Sequence, residues 1–115
     1  MARGQRQQNV ADQIQRELSD LIQRELRDPR IGLVTLTGVE VSADRAHAKV
    51  FFTCLEATQA ERAAEGLQRA AGFLRSKLAR RIKMFSTPEL HFHYDESIEY
   101  GARMEAKIRE IQDDS

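Results

Sequence analysis

The sequence lacks the features that mark several special classes of protein. Among its 115 residues there is one cysteine, Cys54, so an internal disulfide is impossible and we expect a reducing compartment. No apolar run approaches the ~18–20 residues of a membrane span, and the first residues lack the apolar stretch of a signal peptide. These absences exclude the membrane, secreted, collagenous and coiled-coil classes. They predict a soluble, cytoplasmic α+β domain.

The chain also has no excess of charge of either sign, with 18 basic and 18 acidic residues. Net charge therefore predicts no partner, but the distribution of charge does. Residues 73–84 contain five basic side chains and no acidic one, whereas residues 85–115 are predominantly acidic. A run of this kind is commonly a solvated helix face, but it could equally bind a polyanion by releasing counterions. The five basic residues are Arg75, Lys77, Arg80, Arg81 and Lys83.

The spacing of apolar residues predicts the order of the elements. Over residues 9–28 they recur every three or four positions, which is typical of an amphipathic helix. Residues 33–41 are rich in β-branched residues, and after a turn signal residues 45–54 alternate strictly. Together they predict a β-hairpin with Cys54 facing inward. Thr58 and Glu61 form a capping box that predicts the start of a second helical run, ending near Ile82.

A third strand and a short C-terminal helix complete the pattern. Leu90, Phe92 and Tyr94 alternate with two histidines, and apolar residues from Ile98 to Ile111 have helical spacing. Because about 35 residues of helix separate strands 2 and 3, these strands can be parallel neighbours. We therefore predict a three-stranded mixed sheet with helices on one face.

The predicted domain organisation has three parts. Residues 1–8, with Arg3 and Arg6, are polar and basic and predict a flexible arm. Residues 9–112 form a single domain, and residues 113–115 form a tail.

A glycine interrupts the long helical run. Gly72 in a helix interior costs about 1 kcal/mol relative to alanine, which requires a reason. The small residues Ala70, Ala71 and Gly72 predict a kink that divides the run into two helices. Close packing against the first helix is the alternative explanation. A phosphate could approach backbone N–H groups where the second of these helices begins.

The resulting order, α-β-β-α-kink-α-β, resembles a type II KH domain, a family that binds single-stranded nucleic acid through a G-x-x-G loop. This sequence has no G-x-x-G, and at the corresponding place it has Ala70-Ala71-Gly72. The usual backbone clamp on nucleic acid is therefore missing.

Several stretches in this order resemble the ribosome-binding factor A family, which is KH-like and consists of bacterial small-subunit maturation factors. The resemblance covers roughly residues 7–105, and the family's Ala-x-Gly kink corresponds to Ala70 and Gly72. The stretches are Arg24-Glu25-Leu26-Arg27-Asp28-Pro29-Arg30-Ile31-Gly32, Gly38-Val39-Glu40-Val41-Ser42, Ala48-Lys49-Val50, Ala70-Ala71-Gly72-Phe73-Leu74-Arg75, Pro88-Glu89-Leu90 and Asp95-Glu96-Ser97.

This resemblance implies a protein that is not an enzyme and has no cofactor, metal or small-molecule substrate. It implies a cytoplasmic monomer that binds the free 30S ribosomal subunit, contacts 16S ribosomal RNA, and assists late subunit maturation and RNA processing, notably in the cold. The basic residues are compatible with that function, because phosphate contacts position a protein without recognising sequence. The predicted RNA contacts are Arg75, Lys77, Arg80, Arg81, Lys83, Arg3 and Arg6.

Two other functions remain possible from the residues alone. His91 and His93 project to one face of strand 3, and His47 should share that face, so three imidazoles could hold zinc. An ordinary polar sheet face is the interpretation that we favour, because no cysteine or carboxylate alternates with the histidines and we expect their nearest acids, Asp95 and Glu96, to lie beyond the strand end. Alternatively, the first helix could bind a partner chain. A salt titration separates that case from RNA binding, which weakens steeply with salt.

Overall fold

We describe a computed structural model of the chain, which covers the backbone of residues 2–26, 31, 33–83 and 86–97 and side chains from residue 8 onward. The observed order of elements agrees with the predicted α+β fold. In these ranges no helix is long and apolar enough to cross a membrane. The elements are α1 (Ala2–Glu25), β1 (Val34–Val41), β2 (His47–Cys54), a 3-10 turn (Ala57–Gln59), α2 (Ala60–Arg69), α3 (Ala71–Arg81) and β3 (Glu89–Tyr94).

Helix α1 differs from its prediction at both ends. It begins at Ala2, so the backbone of residues 2–8, which we expected to form a flexible arm, is helical. This stretch consists mainly of arginine and glutamine, which favour helix even without an apolar stripe. The helix ends at Glu25, whereas the apolar spacing predicted helix as far as residue 28; residues 27–30 lie outside the described residues.

The sheet has the order β1-β2-β3, and its pairings are those expected. Strands β1 and β2 pair antiparallel, whereas β2 and β3 pair parallel, with Val50 opposite Phe92. The parallel pairing is possible because α2 and α3 carry the chain from one end of the sheet back to the other. A mixed three-stranded sheet results.

A β-bulge changes the phase of β1. Leu36 pairs with Phe52 and Gly38 pairs with Phe51, which leaves Thr37 as the extra residue. The buried positions of β1 consequently shift from Val34 and Leu36 to Val39. The hydroxyl of Thr37 donates to Asp95 Oδ2 at 2.6 Å, which ties the bulge to the end of β3.

One core lies between the helices and one face of the sheet. The apolar stripe of α1 is buried there as predicted, and leucines of α2 and α3 belong to the same core. These side chains are excluded from water, which supplies most of the stability of a domain this small. Among the completely or almost completely buried members are Ile14, Leu18, Leu21, Val50, Phe52, Leu67, Leu74, Leu78 and Leu90.

Two local predictions need comment. The capping-box prediction was wrong: Thr58 lies in the 3-10 turn, and the residue before α2, Gln59, makes no side-chain capping hydrogen bond. Helix α2 begins two residues later than predicted, because a 3-10 turn precedes it. This turn is held by a backbone hydrogen bond, from Gln59 N–H to the Glu56 carbonyl at 2.9 Å, and not by a side-chain cap. The C-terminal helix predicted from Ile98 and the tail at 113–115 lie outside the described residues.

Candidate nucleic-acid interface

The helical run breaks at the predicted place. Helix α2 ends at Arg69 and α3 begins at Ala71, with Ala70 between them at φ −83° and ψ −3°. This break is not caused by the absence of a side chain at Gly72, because a Cβ built there would meet nothing within 4 Å. Gly72 is exposed in the first turn of α3, so close packing against α1 does not explain it either.

The five basic residues in and just after α3 divide into two groups, although the sequence presents them as one run. Arg75, Lys77 and Arg81 contact neighbouring parts of the protein, whereas Arg80 and Lys83 project into solvent. Within α3 the division follows from the helical period, since Arg75, Lys77 and Arg81 each lie three positions from buried Leu74 or Leu78 and Arg80 does not. Lys83 lies two residues beyond the end of the helix.

Arg75 holds the segment that leads into β3. Its Nε and Nη2 atoms both donate to the backbone carbonyl of Thr87, at 3.0 Å and 2.9 Å. A guanidinium that donates twice to one carbonyl has a fixed orientation, because its donors form a rigid planar fork. The side chain therefore has a structural role, whatever its contact with RNA.

Lys77 and Arg81 face α1. Lys77 Nζ lies 3.5 Å from Glu25 Oε2 and 5.6 Å from the centre of the Phe73 ring. Arg81 Nη1 lies 2.6 Å from Asp20 Oδ2 and 3.2 Å from Glu17 Oε2. These contacts partly neutralise two of the cations that the sequence assigned to RNA.

The contact between Arg81 and α1 also affects ionisation. The hydrogen bond from Arg81 is the main reason that the pKa of Asp20 lies below its usual value, and Arg24 lowers it further. Reciprocally, hydrogen bonds to Asp20 and then to Glu17 raise the pKa of Arg81. Both groups therefore stay charged near neutral pH, and the ion pair persists.

Arg80 and Lys83 remain as the open part of the basic run. Both are exposed, and neither forms a hydrogen bond or ion pair with residues 8–26, 31, 33–83 or 86–97. In the described part of the chain, no acidic group neutralises their charges. The side chains of Arg3 and Arg6, also predicted to contact RNA, lie outside the described residues.

A cavity of about 400 Å³ lies between the segment that follows α3 and the β1–β2 turn. Lys83 and Arg45 both line it. Arg45 was not predicted as a site residue. Its φ of 60° is unusual for a residue with a side chain and costs of order 1–3 kcal/mol. The turn signal Ser42-Ala43-Asp44 could have indicated it, because tight hairpin turns often require a positive φ.

The β1–β2 turn holds Arg45 in this conformation through Asp44. Asp44 Oδ1 accepts from the Ser42 hydroxyl at 2.6 Å and from the Ala46 N–H at 3.0 Å. The hydrogen bond from Ser42 is the main cause of the lowered pKa of Asp44. The cavity is thus lined by two cations and by one carboxylate that is already engaged with its own turn.

The three histidines do not come together as one site. His47 Nδ1 lies 3.0 Å from His91 Nε2, but His93 lies beside Phe51, with 6.0 Å between ring centres. The third ligand-type group near the first pair is Glu89, which sequence analysis missed. The expectation that the nearest acids lie beyond the strand end was wrong, because β3 begins at Glu89 and places it on the histidine face.

Two other predictions are modified by burial. Cys54 is half-buried rather than part of the core; its thiol donates to the Glu56 carbonyl at 3.1 Å, and burial raises its pKa.

The apolar stripe of α1, including Leu18 and Leu21, is buried in the domain's own core. That stripe therefore offers no apolar face to a partner chain.

Comparisons with known proteins agree with the fold. The family model of ribosome-binding factor A matches residues 6–108. A ribosome-binding factor A from Thioalkalivibrio sulfidiphilus is 59% identical over 104 residues, covering 90% of this chain and 81% of that relative. The crystal structure of ribosome-binding factor A from Thermus thermophilus has a TM-score of 0.70 and 33% identity, covering 76% of this chain and 94% of that chain.

A further match concerns a ribosomal complex. It is a homology model of the Thermus thermophilus ribosome-binding factor A, fitted into the cryo-EM map of a complex with the 30S subunit. Its TM-score is 0.64 and its identity 34%, and the match covers 75% of this chain and 91% of that chain.

The mixed sheet and the interrupted helical run define an α+β protein of the KH-like class. Because the family model spans most of the chain, the protein belongs to the ribosome-binding factor A family, whose members are ribosome-binding factors.

Proposed function

We propose that this protein binds the free 30S ribosomal subunit in the cytoplasm, as a monomer, and assists late maturation of the subunit and processing of its 16S RNA, including in the cold. The observation that carries the proposal is family membership, supported by the Thermus thermophilus relative fitted into a 30S complex. In this proposal the protein acts by binding, without catalysis, cofactor or small-molecule substrate.

The surface that supports RNA contact best is formed by Arg80, at the end of α3, and by Lys83, just beyond it. Arg80 and Lys83 are exposed, and Lys83 shares a cavity with Arg45. Each cation placed against a phosphate releases counterions, which favours binding without recognition of sequence. Arg75, Lys77 and Arg81 contribute to the surrounding potential while they hold the fold together. Arg3 and Arg6 extend the predicted contact set at the start of α1.

Sedimentation of the purified protein with separated ribosomal particles tests the function. We expect the protein to migrate with free small subunits and to stay unbound in the presence of large subunits or complete ribosomes. Equal binding to all three particles would indicate general attraction to RNA, and absence of binding to small subunits would refute the proposal.

Two single-charge variants test the surface. Lys83→Gln should weaken binding to small subunits and reduce the slope of log affinity against log salt by about 1, as expected for one lost phosphate contact. Lys49→Gln is the matched control, because Lys49 is also exposed but lies on the opposite face of the sheet from the helices. The reverse result would place the RNA on the sheet face.

A further inference from the structure

The exposed face of the sheet carries a group of side chains that the proposed ribosomal function does not use. His47 on β2 and Glu89 and His91 on β3 place ligand atoms within 4.8 Å of one another. We propose that these three residues form a binding site for a zinc ion that bridges β2 and the edge strand β3.

The backbone fixes the relative positions of the three side chains. His47 is opposite Glu89 in the parallel register, and Glu89 N–H donates to the Ala46 carbonyl at 2.8 Å. His91 follows Glu89 by two residues, so both project to the same side of β3. All three Cα atoms therefore belong to paired strands, and the backbone holds the three side chains on one face of the sheet.

The distances are close to those that zinc requires. Zn–N bonds of about 2.0–2.1 Å in tetrahedral geometry place two ligand atoms about 3.3 Å apart. His47 Nδ1 lies 3.0 Å from His91 Nε2 and 3.6 Å from Glu89 Oε2. An ion could replace the present hydrogen bond between the imidazoles with little displacement of the chain.

The chemistry of the ligands favours zinc over the abundant hard cations. Two imidazoles and one carboxylate suit Zn²⁺, whereas Mg²⁺ and Ca²⁺ prefer oxygen ligands. His47 and Glu89 are exposed and His91 is half-buried, so water can complete the coordination. Lys49 is opposite His91 in the register, and its positive charge would repel a zinc ion. Its long side chain is exposed, however, and can move away from the site.

Calorimetric titration of the full-length, untagged protein with ZnCl₂ tests the site. We expect one zinc ion per chain, with His47→Gln, Glu89→Gln and His91→Gln each lowering the affinity more than about tenfold, since even indirect partners of metal ligands contribute about 10–100-fold. The matched control is His93→Gln, on the same strand and face but beside Phe51, which should bind zinc like the unaltered protein.

Thermal unfolding gives a second measurement that does not depend on the heat of binding. Zinc should raise the midpoint for the unaltered protein and for His93→Gln, because a ligand that binds only the folded state stabilises it. The midpoints of the other three variants should respond little. An equal loss in all four variants, an undiminished response in the first three, or no zinc binding would overturn the proposal and leave a hydrogen-bonded histidine pair.

Discussion

The guanidinium of Arg81 lies 2.6 Å from the carboxylate of Asp20, which joins the end of α3 to the C-terminal part of α1. The same nitrogen lies 3.2 Å from Glu17, so one cation serves two acids on one helix face. The helices of this domain are therefore connected by charge as well as by their leucines.

Removal of this contact should destabilise the protein. Surface ion pairs usually contribute little, but Arg81 contacts two carboxylates and bridges two helices. We expect Arg81→Gln to lower the midpoint of thermal unfolding, and to do so more at low than at high salt. Arg80→Gln is the matched control and should leave the midpoint almost unchanged. Equal shifts in the two variants would contradict the structural role assigned to Arg81.

Arg75 permits a separation of structural and RNA-binding roles. In Arg75→Lys the charge is retained but the double donation to the Thr87 carbonyl is lost. We expect lower thermal stability with nearly unchanged affinity for small subunits. Thermal unfolding and sedimentation measure the two effects separately. A large loss of affinity at full stability would show instead that the guanidinium itself contacts RNA.

Acid should weaken the connection between the β1 bulge and the end of β3. Hydrogen bonds from Ser97 and then from Thr37 lower the pKa of Asp95 from its ordinary value of 3.8. Because the folded-state pKa is lowered, the stabilisation is fully present above the ordinary value and is lost as pH falls through the folded-state value. Asp20 and Asp44 have lowered pKa values too and add to the same trend.

The contribution of Asp95 can be isolated with Thr37→Val, which removes one donor and keeps the side-chain shape. We expect this variant to be less stable near neutral pH and to lose less stability on acidification. Urea unfolding between about pH 7 and about pH 2 measures both effects. Parallel pH curves for the variant and the unaltered protein would show that the Thr37 hydrogen bond does not favour the ionised carboxylate.

Gly72 should tolerate a methyl group. A Cβ would meet nothing within 4 Å, and alanine favours helix over glycine by up to about 1 kcal/mol. We therefore expect Gly72→Ala to be as stable as the unaltered protein or slightly more stable in urea unfolding. If stability is kept while binding to small subunits falls, the glycine serves close approach of RNA. A marked loss of stability would instead mean that the helix break depends on glycine.

The elements and the core follow largely from local patterns in the sequence. On β2, Ala48, Val50 and Phe52 alternate with exposed or half-exposed residues and are buried as predicted. The stripe of α1 likewise becomes the core, because side chains repeat on one face every 3.6 residues in a helix and every two in a strand. The small residues at 70–72 correctly marked the break between α2 and α3.

Which charges are free was decided only by the tertiary structure. The five cations of residues 73–84 are similar in the sequence, but Arg81 meets Asp20, from which it is separated by 61 positions, while Arg80 points into solvent. Arg45 joins Lys83 at one cavity, and Glu89 joins His47, for the same reason. Periodicity determines which face of a helix or strand is buried, but the partners of an exposed side chain depend on how distant elements pack, and no local pattern encodes that.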